Sequence, residues 1–303
     1  MPHIKKAVVT GGAGFIGSHV VDAIVRSGYD VHVVDDLSAG KRERIPAEVS
    51  FHEIDIRDTA ALVPVFKDVD VVFHLAAKPR VQYSIEHPVE TDTVNVGGMV
   101  SVLTAARDAG ARRVVYSASS SAYGDQERMP LSEDMPPHPL SPYGLQKYVG
   151  ELYAKLFNEL YGLETVSLRY FNVYGPRLDP NGAYALVIGR FLKQCADGDP
   201  MTITGDGEQT RDFTHVFDVA RANLLAARSP KVGKGEVINI GAGTPVTVNE
   251  IARMIGGDIV HIEPRIEPRH TKADIARAKE LLGWKPTISL QEGLTALKAE
   301  FGL

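Results

Sequence analysis

Short apolar runs and amphipathic segments alternate through the first half of the chain. The runs at 5–10, 31–35, 50–54, 70–75, 112–118 and 164–170 have strand length and are rich in β-branched residues. The segments at 14–27, 58–66, 89–109 and 143–161 carry their apolar residues at helical spacing. Such alternation predicts an α/β fold, a doubly wound parallel sheet with helices on both faces. After 170 the texture changes. Tyr174 to Gly182 is turn-rich, a helical segment follows at 184–197, and a polar loop runs from Gly205 to Asp212. A helix at 216–228, a strand at 236–240 and short helices at 247–255, 274–282 and 290–300 close the chain. The expected organisation is a first domain over 1–171, rejoined by a segment near 212–241. A smaller C-terminal α/β substrate domain, mainly 172–303, completes it. The crevice between them lies outside the carboxyl ends of the strands, where such sheets bind ligands.

The first strand runs into Thr10-Gly11-Gly12-Ala13-Gly14-Phe15-Ile16-Gly17, and a helix follows. Strand, glycine turn and helix in that order form the phosphate site of a Rossmann-type sheet. Gly11 permits the turn, Gly14 lets backbone approach a pyrophosphate, and Gly17 lets helix and strand pack closely. The open N–H groups at the helix start hold the phosphates. The second strand ends in Asp35, 35 − 17 = 18 positions past Gly17, about where a ribose-binding acid belongs. Asp35 accepts from ribose hydroxyls and repels a 2′-phosphate, so NAD is expected rather than NADP.

Composition narrows the class. The chain has 303 residues, a net charge of −5 and 44% apolar residues, enough for a large core and giving no reason to expect nucleic acid or an anionic membrane as partner. Its one cysteine, Cys195, excludes an intrachain disulfide and sits in an apolar-periodic stretch, where a packed thiol is the favoured reading. No apolar run is long enough to span a bilayer and no signal peptide is evident, so a cytoplasmic protein is expected. The ten histidines form no HExxH or Cys/His cluster, so no metal is expected.

Several residues carry candidate chemistry. Asp55-Ile56 ends the third strand, where the acid is either an adenine-binding group or a solvated loop charge. Small residues follow His74 in Leu75-Ala76-Ala77. Asn95, amid apolar neighbours, is either a satisfied core amide or part of a cofactor shell. Tyr143 and Lys147 stand one turn apart on one helical face. A nearby ammonium lowers a tyrosine pKa, which would make Tyr143 a general base for a sugar hydroxyl. The fifth strand ends in Ser117-Ala118-Ser119-Ser120-Ser121, from which Ser119 can relay that proton. Arg211 and Arg269 are either bidentate phosphate clamps or members of surface ion pairs. Asn172 can donate to the same diphosphate.

Taken together these residues resemble the extended short-chain dehydrogenase/reductase family, and within it the UDP-hexose 4-epimerases. The resemblance covers nearly the whole chain, from the Thr10–Gly17 turn through Tyr143/Lys147 and Arg169 to Arg177 to Arg269. It implies bound NAD, held by Gly11, Gly14, Phe15, Ile16, Gly17, Asp35, Asp55, Ile56, Leu75, Ala76, Ala77, Lys78, Asn95, Ser117, Tyr143, Lys147 and Tyr170. It implies Ser119, Tyr143 and Lys147 as the catalytic set, with a UDP-sugar bound by Ser119, Ser120, Tyr143, Asn172, Arg211 and Arg269. It also implies a homodimer pairing the helices over 89–109 and 143–161 about a two-fold axis.

Departures separate the reactions within the family. The 4,6-dehydratases carry Asp and Glu after the Ser119 position, where this chain has Ser120 and Ser121. UDP-glucuronate decarboxylases carry Glu at the Ser121 position. UDP-glucuronate 4-epimerases usually carry Thr at that of Asn172. The stretch from Asp179 to Ala185 looks most like epimerases that accept N-acetylated sugars. Thr271, three before Asp274, occupies a pocket-limiting position where tyrosine resembles the hexose-restricted enzymes. The expectation is a 4-epimerase of UDP-Glc/UDP-Gal that also takes UDP-GlcNAc/UDP-GalNAc. The rivals are a UDP-glucuronate 4-epimerase, a dehydrogenase that releases its reduced cofactor, and a non-catalytic nucleotide sensor.

Overall fold

The computed structural model describes residues 6–178, 187–264 and 267–303. Seven parallel strands build the main sheet. They are β1 (Lys6–Thr10), β2 (Asp30–Asp35), β3 (Ser50–Glu53), β4 (Val71–His74), β5 (Arg113–Ser119), β6 (Glu164–Tyr170) and β7 (Lys234–Ile240), in spatial order β7-β6-β5-β4-β1-β2-β3. Successive strands step outward from β1 to β3, and the chain then crosses to β4 on the other side of β1. That reversal opens a crevice at the carboxyl ends of β1 and β4. Alternate residues feed the two faces. Val9, Val33, Phe73 and Val115 enter one core, and Val8, Val34, Val72 and Val114 enter the other. Both sets are fully buried, which is why these strands read as continuous apolar runs.

The helices are α1 (Phe15–Arg26), α2 (Thr59–Phe66), α3 (Gly98–Asp108), α4 (Pro142–Tyr161), α5 (Val187–Asp197), α6 (Val216–Arg228), α7 (Val248–Ile255), α8 (Ala276–Leu282) and α9 (Leu290–Glu300). Their ends follow local chemistry. Ser141 caps α4 by accepting from the Gly144 N–H at 3.1 Å, Pro142 opens it, and Gly162 ends it in a left-handed conformation. Reciprocal capping boxes, Thr247/Glu250 and Ser289/Glu292, start α7 and α9.

The helix expected over 89–109 is three pieces: Pro88–Asp92, a π-helical turn at Thr93–Gly97, and α3. Tertiary hydrogen bonds made by Asn95 accompany the wide turn. Two four-residue strands went unforeseen, Met201–Thr204 and Ile259–Ile262, which pair in parallel, as did, among the described residues, four two-residue strands and a short helix at Val81–Glu86. The start of the helix expected at 184 and the whole stretch from Asp179 to Ala185 lie outside the described residues.

After β6 the chain builds a second core from Tyr174, Ile188, Phe191, Met201, Ile251 and Leu294. It returns twice to the first sheet. α6 and β7 rejoin it, and Ala278, Leu282 and Trp284 pack into the core around α1 and α6. Asp212 ties three loops near the crevice, accepting from the N–H groups of Ala242, Gly243 and Ala273 at 2.7–2.9 Å. Among the described residues no helix is long and apolar enough to cross a membrane.

Candidate active site

A cavity of about 430 Å³ opens over the carboxyl ends of β1, β4 and β5. Gly11, at φ 72°, turns the chain out of β1, and a Cβ there would strike the Ala76 backbone. A Cβ on Gly17 would collide with the Gly11 carbonyl. Helix α1 begins at Gly14 with no side chain capping it, so its first N–H groups are open donors beside the cavity. An uncapped helix start, with backbone walls no side chain could replace, is a fit for a pyrophosphate.

Asp35, 6% exposed, stands at the end of β2. Its two oxygens accept from Ala13 N–H and Leu37 N–H, each at 2.9 Å, which aims the carboxylate into the cavity wall. Burial pushes its pKa up, and the two N–H donors oppose that. Asp55 and Ile56 line the same cavity, and Arg57 bonds the Asp55 carboxylate, holding it below its ordinary range. Asp55 is thus a cavity-lining group and a partly exposed loop charge.

Leu75, Ala76, Ala77, Lys78, Ser117, Tyr143, Lys147 and Tyr170 also line the cavity. Asn95 is not among these lining residues. It lies buried beneath the wall, accepting from Lys78 N–H at 2.7 Å and donating to Lys78 O at 3.0 Å and to Gln146 Oε1 at 2.8 Å. It shapes the loop after β4 through the backbone.

Tyr143 and Lys147 rise from the first two turns of α4. Ser84, fully buried on the unforeseen short helix, accepts from the Tyr143 N–H at 3.0 Å and pins the start of α4. Ser119 lies beside Tyr143 and acts to lower its pKa, and the Ser119 hydroxyl donates to Ser121 Oγ at 3.1 Å. The Lys147 ammonium donates to Ser117 O at 2.8 Å and lies 4.9 Å from the centre of the Tyr116 ring. The electrostatics correct the spacing argument. Burial pushes Tyr143 up to about 12, opposed by Ser119, and burial pulls Lys147 down to about 7, opposed by Glu151. Helical spacing placed the two side chains on one face, yet burial sets the direction of both shifts.

The other expected residues gather on a separate set of strands. Arg211 lies in a two-residue strand, Thr210–Arg211, paired antiparallel with Val246–Thr247. The segment at 269–271 runs beside it, with Thr210 N–H donating to Arg269 O at 3.1 Å and Thr271 N–H to Thr210 O at 3.2 Å. Arg211, Arg269 and Thr271 are thus neighbours. Both arginines are ion-paired, Arg211 with Glu267 at 3.0 Å and Arg269 in bidentate fashion with Asp206 at 2.7–2.8 Å. Asn172, just past β6, accepts from Thr214 N–H through its backbone carbonyl, and Ser120 follows Ser119 in a 3₁₀ turn. None of Asn172, Arg211, Arg269 and Thr271 lines the nucleotide cavity.

Sequence reasoning missed other lining residues, among them Asp36, Ser38, Gly40, Arg44, Pro79, Arg80 and Val94. Asp36, Ser38, Gly40, Pro79 and Arg80 lie in the loops after β2 and β4, so the strand ends were the available signal for them, whereas Arg44 ends a 3₁₀ turn and Val94 lies on the π-helical turn.

A cavity built this way, with a poised tyrosine at one end, belongs to dinucleotide-dependent redox chemistry on a Rossmann-type sheet. Residues 7–241 match the model of the NAD dependent epimerase/dehydratase family, and the chain belongs to that family, with NAD as its cofactor. It is 39% identical over 304 aligned residues to a UDP-glucose 4-epimerase of Mycolicibacterium smegmatis, covering 95% of this chain and 96% of that one. A UDP-glucose 4-epimerase from Thermotoga maritima, solved with UDP-glucose, superposes with a TM-score of 0.93 at 41% identity, covering 98% of each chain. A UDP-N-acetylglucosamine 4-epimerase from Methanobrevibacter ruminantium, solved with UDP-N-acetylmuramic acid, superposes with a TM-score of 0.91 at 37% identity, covering 99% of this chain and all of that one.

Proposed function

We propose that this chain is a cytoplasmic UDP-hexose 4-epimerase that interconverts UDP-Glc and UDP-Gal, and UDP-GlcNAc and UDP-GalNAc, by transient oxidation at C4. The observation that carries the reading is that Tyr143 and Lys147, one turn apart on α4, both line the wall of the nucleotide cavity, with Ser119 beside the tyrosine. Ser120 and Ser121 follow, without the acid and base that eliminating water requires. When bound, NAD accepts the C4 hydride and returns it, and its oxidised ring carries positive charge. In the forward step Tyr143 takes the C4-hydroxyl proton, directly or through Ser119, and it hands the proton back after the 4-keto sugar has turned over. Asn172, Arg211 and Arg269 hold the diphosphate throughout, so the nucleotide stays while the sugar rotates. Arg211 and Arg269 reach it by exchanging their carboxylate partners for phosphate, a charge-for-charge replacement.

The same reading takes residues 1–171, with the returning segment near 212–241, as the NAD domain and 172–303 mainly as the sugar-nucleotide domain. It also includes a homodimer. Leu145, Leu152, Leu156 and Leu160 form one exposed stripe along α4, each 43–62% accessible, and a second copy of that helix would cover it. The test of function is incubation with UDP-Glc, UDP-GlcNAc and UDP-GlcA without added cofactor, with products identified by NMR. Epimers of the first two are expected. Turnover of UDP-GlcA alone would replace this reading with the glucuronate one.

A further inference from the structure

Lys147 is 4% exposed, and its ammonium has a single carbonyl acceptor, Ser117 O. A buried ammonium with so little compensation tends to give up its proton. The groups around it come from four elements. Helix α4 supplies Tyr143 and Glu151, β5 supplies Tyr116, β4 supplies His74 stacked on Tyr116 at 5.6 Å, and β6 supplies Arg169 and Tyr170. His74 is neutral near pH 7, because burial and then Lys147 pull it down to about 3. Burial pushes the Tyr116, Tyr143 and Tyr170 phenols up, so they are neutral too. Within this set of described residues the negative charge is Glu151.

Glu151 stands one helical turn beyond Lys147, as Lys147 stands one turn beyond Tyr143. Its side chain is 2% exposed, and that of Arg169 is 3% exposed. Arg169 bonds it in bidentate fashion, Nε to Oε1 at 2.8 Å and NH2 to Oε2 at 2.7 Å. The guanidinium in turn lies 4.4 Å from the centre of the Tyr123 ring. Burial raises the Glu151 pKa, and the fork of Arg169, then the Lys147 charge, oppose that shift without reversing it.

We infer that Glu151, held ionised by Arg169, is a positioning residue that keeps the Lys147 ammonium charged at the end of the nucleotide cavity. The inference rests on the reading of Tyr143 and Lys147 as the working pair. Arg169 fixes Glu151, Glu151 fixes the charge of Lys147, and Lys147 stands one turn beyond Tyr143 on α4. The carboxylate touches neither substrate nor cofactor in this scheme.

The test is the titration of Lys147 in the NAD-loaded protein, followed by NMR of ¹³Cε-labelled lysine. The resonance is assigned by its loss in Lys147→Arg. Glu151→Gln should lower the Lys147 midpoint by about one pH unit or more, and Glu151→Asp should keep it near the wild-type value. Glu151→Met/Arg169→Met replaces the pair with apolar side chains, a change that buried ion pairs often tolerate in folding, and it should lower the midpoint as well. This double variant carries the test if Glu151→Gln does not fold. Coincident midpoints in wild type and the neutral variants would overturn the inference. The outcome does not depend on turnover, so a wild-type protein that fails to epimerise UDP-sugars sinks the functional reading separately.

Discussion

The NAD cavity and the proposed sugar-nucleotide side of this site are built from different materials. On the NAD side, strand ends, glycine backbone and short side chains enclose a cavity, and Asp35 is aimed by two N–H bonds. On the other side, long arginines from segments about sixty residues apart meet across a two-residue strand, each already holding a carboxylate. A backbone-walled site is pre-formed, and a cofactor that stays through the cycle needs little else. On the proposed reading, the ion-paired arginines exchange partners when a diphosphate enters, which suits a ligand that must come and go.

The largest effect expected of a single change falls where the two sides meet. Tyr143→Phe should cut turnover about 10²–10⁴-fold while leaving bound NAD in place, measured by product assay and mass spectrometry of the holoprotein. Near-wild-type turnover would remove Tyr143 as the base. Next is the sugar-nucleotide side. Arg211→Ala should raise KM for UDP-Glc by about 10–100-fold, the scale of one charged hydrogen bond, and leave NAD content unchanged. Arg269→Ala should do less, because that guanidinium is half exposed and solvent already screens it. Equal loss of NAD in the arginine variants would erase the contrast between the two sides.

Thr271→Tyr sharpens the contrast within the sugar side. Thr271 is 8% exposed, and its hydroxyl meets Thr210 O at 3.4 Å, beside Arg211. A phenol ring there should lower activity on UDP-GlcNAc by about 10-fold or more and largely spare UDP-Glc. Equal loss on both substrates would make it a folding effect.

The smallest effect is on stability. His74, under the cavity floor, bonds Thr10 Oγ1 at 2.8 Å, and burial then Lys147 lower its pKa from 6.5 to about 3. Between those values the unfolded chain binds a proton that the native state refuses, so this contribution is complete above pH 6.5 and shrinks as pH falls towards 3. Urea midpoints at pH 7.5 and pH 5 should therefore differ less in His74→Gln than in wild type, and equal differences would contradict it.

What was legible in the sequence follows the same division. Glycines at 11, 14 and 17 and the acid at 35 announce the NAD cavity because only those residue types satisfy its backbone geometry. Ser141-Pro142 and Gly162 bracket α4 for equally local reasons. Asn95 was legible as an anomaly but not in its role, since the π-helical turn and the Lys78 backbone it grips are tertiary facts. Periodicity put Tyr143 and Lys147 on one face, but the burial that governs their titration arises only when β5, β6 and β7 pack against α4. The strands Met201–Thr204 and Ile259–Ile262 are four residues each, and Ile259 to His261 are exposed, so no apolar alternation marks the second of them.

The central claim is that C4 is oxidised and reduced again within one bound substrate. UDP-glucose deuterated at C4 tests it most directly, with no cofactor added and the product examined by NMR and mass spectrometry. The account predicts UDP-galactose that keeps its deuterium at C4, with no reduced cofactor released. Deuterium lost to solvent, or reduced cofactor released in step with substrate consumed, would contradict it.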